Sequence, residues 1–248
     1  GGPVGVEGWT GLDERHGVGV TSPRGEASEW GGEVVGLGER GEEAGEGLAA
    51  AGVARTRGRV LARDAVVVGE AQAWGGGLIH HCAVGAAGRV LWPIHFGTLG
   101  YSVPGAIGVR AALSGRRVVA ACGDGGFMFC ANELATAVQH RLDLVVVLVN
   151  NDCLETIRRL QERRYGTGHA FAAELKNPDF TAYAQSFGCF ARRVEKPEEF
   201  EPALRDALDA RRPAVVEITF PVPPPPGDYG LGGSISPPRT HATEPVWE

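Results

Sequence analysis

The 248-residue sequence predicts an α/β protein: an open, doubly wound parallel sheet with helices on both faces, flanked by irregular N- and C-terminal segments. Three observations carry this expectation. Between residues 59 and 220, short β-branched or apolar runs alternate with helix-length segments, as in a parallel sheet joined by crossover helices. Residues 144–149 are almost wholly apolar, the pattern of a strand covered on both faces. Two runs end on polar motifs, Gly123-Asp124-Gly125-Gly126 and Asn150-Asn151, and such sheets bind ligands at the carboxyl ends of their strands.

Residues 1–58 hold 17 of the 38 glycines among Glu and Arg, and their apolar residues follow neither a helical nor a strand period, so little fixed structure is expected there. Residues 65–68 form a short β-branched run. A helix is expected after Pro104 to about residue 113, a strand over 117–121, then a glycine turn and one helix over about 127–140. The central strand 144–149 precedes helices near 154–164 and from 178 to before Gly188, and a strand over 190–194. Residues 197–210 open with a proline followed by acidic residues, which suits the first turn of a helix, and 214–220 form the last strand. Residues 221–248 hold eight of the 16 prolines, and 223–226 should be an extended polyproline stretch within a surface tail. The working domain is therefore 59–220.

A formal net charge of -6 and a pI near 5.7, with no long basic run, argue against a nucleic-acid surface. No apolar run is long enough to span a bilayer, and the N-terminus lacks the order of a signal peptide, so no membrane partner is expected. The five cysteines, Cys82, Cys122, Cys130, Cys153 and Cys189, are odd in number and lack C-x-x-C spacing, which predicts reduced thiols and a cytoplasmic location. The chain begins Gly1-Gly2, the expectation for a fragment or processed product.

The chemistry concentrates at the two strand ends. An acidic side chain at one and an amide at the next can share a hard divalent cation, and oxygen ligands of this kind suit Mg²⁺. Glycines around Asp124 leave backbone N–H groups reachable by a phosphate. A lone Gly-Asp-Gly is also an ordinary turn with a capping Asp, but its pairing with Asn150-Asn151 favours the cation clamp.

Gly123-Asp124-Gly125 with Asn150-Asn151 at this spacing resembles the thiamine diphosphate (ThDP) motif, and residues 59–220 resemble the cofactor-binding C-terminal domain of acetolactate synthase-like enzymes. The stretch from Gly97-Thr98-Leu99-Gly100 to Ile107-Gly108 and the run Asn132-Glu133-Leu134-Ala135 agree with it. The resemblance implies that Asp124, Asn151 and the Cys153 carbonyl hold Mg²⁺, and that Gly123, Gly125 and Gly126 line the diphosphate. It implies that Leu99 props the bent cofactor at the reaction centre, and that the Gly97 carbonyl receives the pyrimidine amino group. Without it, residues 97–108 read as a loop and helix start. His95, two positions before Gly97, is a candidate general acid or base or a structural imidazole bonded to backbone.

The implied activity is decarboxylation or carboligation of a 2-oxo acid. A pyrimidine-binding domain or subunit supplying a catalytic Glu would be needed, in an oligomer, and without it the chain should bind cofactor weakly. Glu39, Glu42, Glu43 and Glu46 lie in the Gly-rich segment and read as solvated charge. The sequence departs from the pattern at Glu70-Ala71-Gln72-Ala73-Trp74, which aligns loosely with a segment where relatives hold the diphosphate through an amide and a His; an acidic Glu70 would repel that anion, so it is not assigned to the phosphate. It also departs at Glu155, where many relatives carry Gly. His80-His81 read as surface or helix-end residues. The missing half would come from a longer polypeptide or a second chain. A non-catalytic remnant that binds cofactor or a partner is the alternative, and a nucleotide-binding Rossmann domain ranks last because no G-x-G-x-x-G follows the first strand.

Overall fold

The structure, a computed structural model, describes residues 60–61, 65–71, 90–93 and 96–219. The expectations for residues 1–58 and 221–248, for Cys82, for His80-His81 and for His95 lie outside the described residues. The described strands are β1 (Val66–Gly69), β2 (Val90–Leu91), β3 (Val118–Gly123), β4 (Val145–Val149), β5 (Phe190–Val194) and β6 (Ala214–Ile218). All pair in parallel in the order β2-β1-β3-β4-β6-β5. From β1 the chain steps outward to β2 and then returns to the other side of β1 as β3. The sheet therefore reverses direction between β1 and β3, the place where parallel sheets open a crevice for ligands.

The described helices are α1 (Ser102–Ala112), α2 (Asp124–Met128), α3 (Leu134–Gln139), α4 (Glu155–Tyr165), α5 (Phe180–Ser186) and α6 (Phe200–Asp209). Strand alternation divides the core into two layers. Val145, Val147 and Val149 face the layer that holds Phe200, Ala203, Leu204, Ala207 and Leu208 of α6, while Val146 and Leu148 face Val103, Ile107, Phe127, Leu134 and Phe180. The α6 residues recur at the i, i+3, i+4, i+7, i+8 spacing of a single buried stripe. Helices thus cover both faces, and each fully buried large side chain contributes roughly 1.5–3 kcal/mol by leaving water.

Three details depart from the sequence expectation. The helix expected over 127–140 is broken: α2 ends at Met128, Cys130 turns out of the helical range with φ -142°, and a 3-10 turn, Ala131–Glu133, precedes α3. Phe127, Ala131 and Leu134 recur at helical spacing on either side of the break and are all buried, so periodicity carries no sign of it. Helix α1 begins two residues before Pro104, which occupies a first-turn position where no intrahelical N–H is required. The two-residue β2 is too short to leave a pattern. Among the described residues, no helix is long and apolar enough to cross a membrane.

Candidate cofactor site

Register builds the site. Gly123 at the end of β3 pairs with Val149 at the end of β4, so Asp124 and the Asn150-Asn151 pair leave adjacent strands at the same level. Gly69 at the end of β1 pairs with Ala121, which brings Glu70 to the same rim. Above the three strand ends lies a cleft of about 290 Å³. Its wall includes Gly97, Leu99, Gly123, Asp124, Gly125, Gly126, Asn151 and Cys153, so every described residue singled out in the sequence for cofactor or metal lines one cavity.

Asp124 is 2 % exposed and held from several directions. Its Oδ2 accepts from the Asn151 N–H (3.2 Å), the Cys153 N–H (3.2 Å) and Asn177 Nδ2 (2.8 Å). Its Oδ1 accepts from the neighbouring Gly125 N–H at 2.8 Å. Burial pushes the Asp124 carboxyl up and these donors pull it back. Asp152 takes φ 52°, a left-handed turn that lets the chain after Asn151 fold back so the Cys153 amide reaches Asp124. The Cys153 carbonyl accepts the Glu155 N–H at 2.8 Å and keeps a second lone pair. Its thiol is raised by burial, so it stays protonated and unsuited to a hard cation. Asn150 points elsewhere, with Nδ2 on Glu217 at 2.8 Å and Oδ1 accepting from Asn177 Nδ2 at 2.9 Å.

One carboxylate with amide and carbonyl oxygens is too sparse a set to hold Mg²⁺ alone. Among the described residues, no group of three or more His, Cys, Asp or Glu is placed to hold a metal. A cation here would need the oxygens of a bound phosphate, and the cavity floor fits one. A β-carbon at Gly125 would overlap Leu154, and one at Gly126 would overlap Glu70, so only glycine leaves this floor open. First-turn amides of α2, that of Gly126 among them, have no acceptor within the helix. The Gly125 N–H is directed to Asp124 Oδ1, which leaves it less free for phosphate than the sequence suggests. Gly97 (φ 57°) and Gly100 (φ 75°) take left-handed turns on either side of Leu99, which lines the cavity together with Leu154, Ile157 and Leu160 of the α4 side.

Asn177 escaped the sequence reading, and the burial of Glu70 was not part of it. Asn177, bridging Asp124 and Asn150, lies in an Asn-Pro-Asp turn whose only local signal is the Asp179 cap on α5. Glu70, not assigned to the phosphate, is fully buried in the cavity wall, and its Oε1 has no hydrogen-bond partner among the described residues. Such an orphaned polar atom marks a wall shaped for a polar ligand.

Residues 68–218 match the family described as thiamine pyrophosphate enzyme, C-terminal TPP binding domain. The acetolactate synthase of Bacillus subtilis is 35 % identical over 121 residues, 49 % of this chain and 21 % of that protein. The acetolactate synthase large subunit of Parasynechococcus marenigrum is 32 % identical over 165 residues, 64 % of this chain and 26 % of that protein. This chain thus spans about a fifth to a quarter of these relatives' length. A solved thiamine diphosphate-dependent 4-hydroxybenzoylformate decarboxylase of Rhodococcus jostii shares the fold, with a TM-score of 0.66 at 24 % identity over 73 % of this chain and 34 % of that one. With the match covering most of the described sheet and the cleft at its strand ends, the chain belongs to the thiamine pyrophosphate enzyme family and is its C-terminal, ThDP-binding domain, of the acetolactate synthase-like kind.

Proposed function

We propose that this chain supplies the diphosphate- and Mg²⁺-binding half of an enzyme that decarboxylates or joins 2-oxo acids. The other half, a pyrimidine-binding domain or subunit, would supply a catalytic Glu within an oligomer. The observation that carries the proposal is the Gly123–Val149 register, which sets Asp124 and Asn151 on one cavity wall. Asp124, Asn151 and the free lone pair of the Cys153 carbonyl would hold Mg²⁺, and Gly123, Gly125 and Gly126 would pack against the diphosphate. Leu99 would prop the bound cofactor and the Gly97 carbonyl would orient its pyrimidine; His95, two positions before Gly97 in the sequence, is a candidate general acid or base.

When bound, thiamine diphosphate supplies the nucleophilic carbon and the electron sink for loss of carbon dioxide from a 2-oxo acid. The chain's own contribution is position and a dry wall. Leu154, Ile157 and Leu160 line the cavity with apolar surface, which disfavours a charged carboxylate and favours its departure as neutral carbon dioxide. Phe96, Phe129 and Phe171 are 92 %, 70 % and 83 % exposed, and Phe96 adjoins Gly97 of the cavity wall. Apolar surface of this kind near an open site supports a covering domain.

Calorimetry tests the clamp: Asp124→Ala should lose Mg²⁺-dependent ThDP uptake, and unchanged affinity would remove the clamp. Combined with a Glu-bearing pyrimidine domain, the wild-type chain should release carbon dioxide from at least one 2-oxo acid. Leu99→Ala should then keep most of the cofactor affinity and lose turnover. ThDP uptake with no release from any acid in a broad panel would leave the non-catalytic alternative.

A further inference from the structure

Glu70 follows the end of β1, and its two carboxyl oxygens sit in unlike surroundings. Oε2 accepts from the Gly100 N–H (3.0 Å), the Ser102 N–H (3.3 Å) and the Ser102 hydroxyl (3.0 Å), and so caps the start of α1. Oε1 is buried and, among the described residues, has no hydrogen-bond partner. It lies against Gly126, where any β-carbon would collide with it, and Glu70 and Gly126 share the cavity wall. With Oε2 saturated by donors, a proton on this carboxyl belongs on Oε1, where it needs an acceptor. The cavity is where that acceptor would come from.

We propose that Glu70 is a diphosphate-binding residue acting as a neutral carboxylic acid, its Oε1 hydroxyl donating to a phosphate oxygen. This rests on the cavity being the ThDP site. Ionised, Glu70 would place an unpaired buried charge beside a polyanion; protonated, it satisfies both its own orphaned oxygen and one on the ligand. Burial raises the Glu70 carboxyl above its ordinary range, and the donors of Ser102 and Gly100 only partly oppose this. The titratable neighbours on β3 and after α2 are thiols. The Cys122 thiol on β3 and the Cys130 thiol after α2 are themselves driven up by burial and by Glu70, Cys130 to about 12, so both stay neutral. Asp124, at the head of α2, and Glu155, paired to Arg158 on α4, are carboxylates that share the cavity wall with Glu70, and Ser102 and Gly100 on the α1 side contribute donors without charge. In chain that holds Glu70 ionised before binding, cofactor uptake takes one proton from solvent onto Oε1.

Glu70→Gln is the decisive variant, since an amide keeps an oxygen at the Oε2 position and a proton-independent donor at Oε1. Binding of Mg-ThDP to the full chain would be measured by calorimetry across neutral pH, in buffers of differing ionisation enthalpy. The wild-type affinity should fall by up to about tenfold per pH unit above the Glu70 pKa, beyond any fall shared with Glu70→Gln. Proton uptake should exceed that of the variant by up to about one. At the alkaline end Glu70→Gln should bind more tightly than wild type, and Glu70→Ala should bind more weakly at every pH. Infrared spectroscopy of the wild type should show a protonated-carboxyl band that strengthens on adding Mg-ThDP.

Superimposable pH profiles and proton counts for wild type and Glu70→Gln would overturn the assignment, as would an infrared spectrum with no protonated carboxyl in the complex. Asp124→Ala binding like wild type would instead count against the proposed function, so the two failures are separable.

Discussion

Asn177 carries a role that a single amide group makes possible. Its Nδ2 donates to both Asp124 Oδ2 and Asn150 Oδ1, tying a candidate cation ligand to the loop after β4. Asn177→Ala should weaken Mg-ThDP binding about tenfold, in line with roughly 1–2 kcal/mol for losing a donor to a buried charged acceptor. Asn177→Asp should be worse, because it sets a second negative charge beside Asp124. Calorimetry on both variants decides this; equal affinities would make Asn177 a mere turn residue. Asp124 was legible because its glycine flanks and the strand before it are local features. Asn177 was not, since it reaches Asp124 across 53 positions of chain and its own neighbours encode only a turn. The burial of Glu70 was not legible for the same reason: the α1-side amides that its carboxyl accepts from lie 30 and 32 positions away.

At the scale of elements, α6 and the cavity sit on different parts of the sheet. Leu204, fully buried, packs with Val147 and Val216 in the layer that α6 covers, and none of the α6 residues lines the cavity. Leu204→Ala should destabilise the fold by about 3 kcal/mol through lost transfer energy and the hole left behind. Well below the unfolding midpoint, cofactor affinity should be unchanged. Urea titration together with calorimetry checks both halves of this expectation, and a variant that loses affinity while fully folded would show that the two layers are coupled. The central strands and α6 were readable because continuous apolar runs and a proline with acidic residues at a helix start are written locally. The break between α2 and α3 was hidden, because its apolar positions stay in phase across the interruption. At the sheet end nearest α5, Glu217 is 1 % exposed and receives Asn150 Nδ2, the Thr181 hydroxyl and Arg193 Nε. That set ties β4, α5, β5 and β6 into one polar junction behind the cleft.

For the whole molecule, the cleft depends on strands that meet late. Val145 of β4 pairs with Val119 on one side and with Ala214 on the other, so no described strand pairs through a tight hairpin. Parallel pairing of such separated segments must close long loops before it gains contacts, and refolding should fall in the slow part of the range for α/β domains. The cavity walls come from the segments that leave β1, β3 and β4, from the 97–100 turn and from α4, so they are complete only once those strands have joined. Mg-ThDP should therefore retard unfolding and leave the refolding rate unchanged in stopped-flow experiments. A refolding limb that accelerates with cofactor would mean that the floor assembles in the transition state.

Strand β5 forms one border of the described sheet, and its consecutive Arg192 and Arg193 lie on opposite sides of the pleat, paired to Asp206 and to Asp179 and Glu217. Paired cations at a border discourage a foreign backbone from docking there. In concentrated solution, crowding of this chain should accordingly produce reversible clustering through its uncovered phenylalanines and no fibrous, ladder-like growth from this margin.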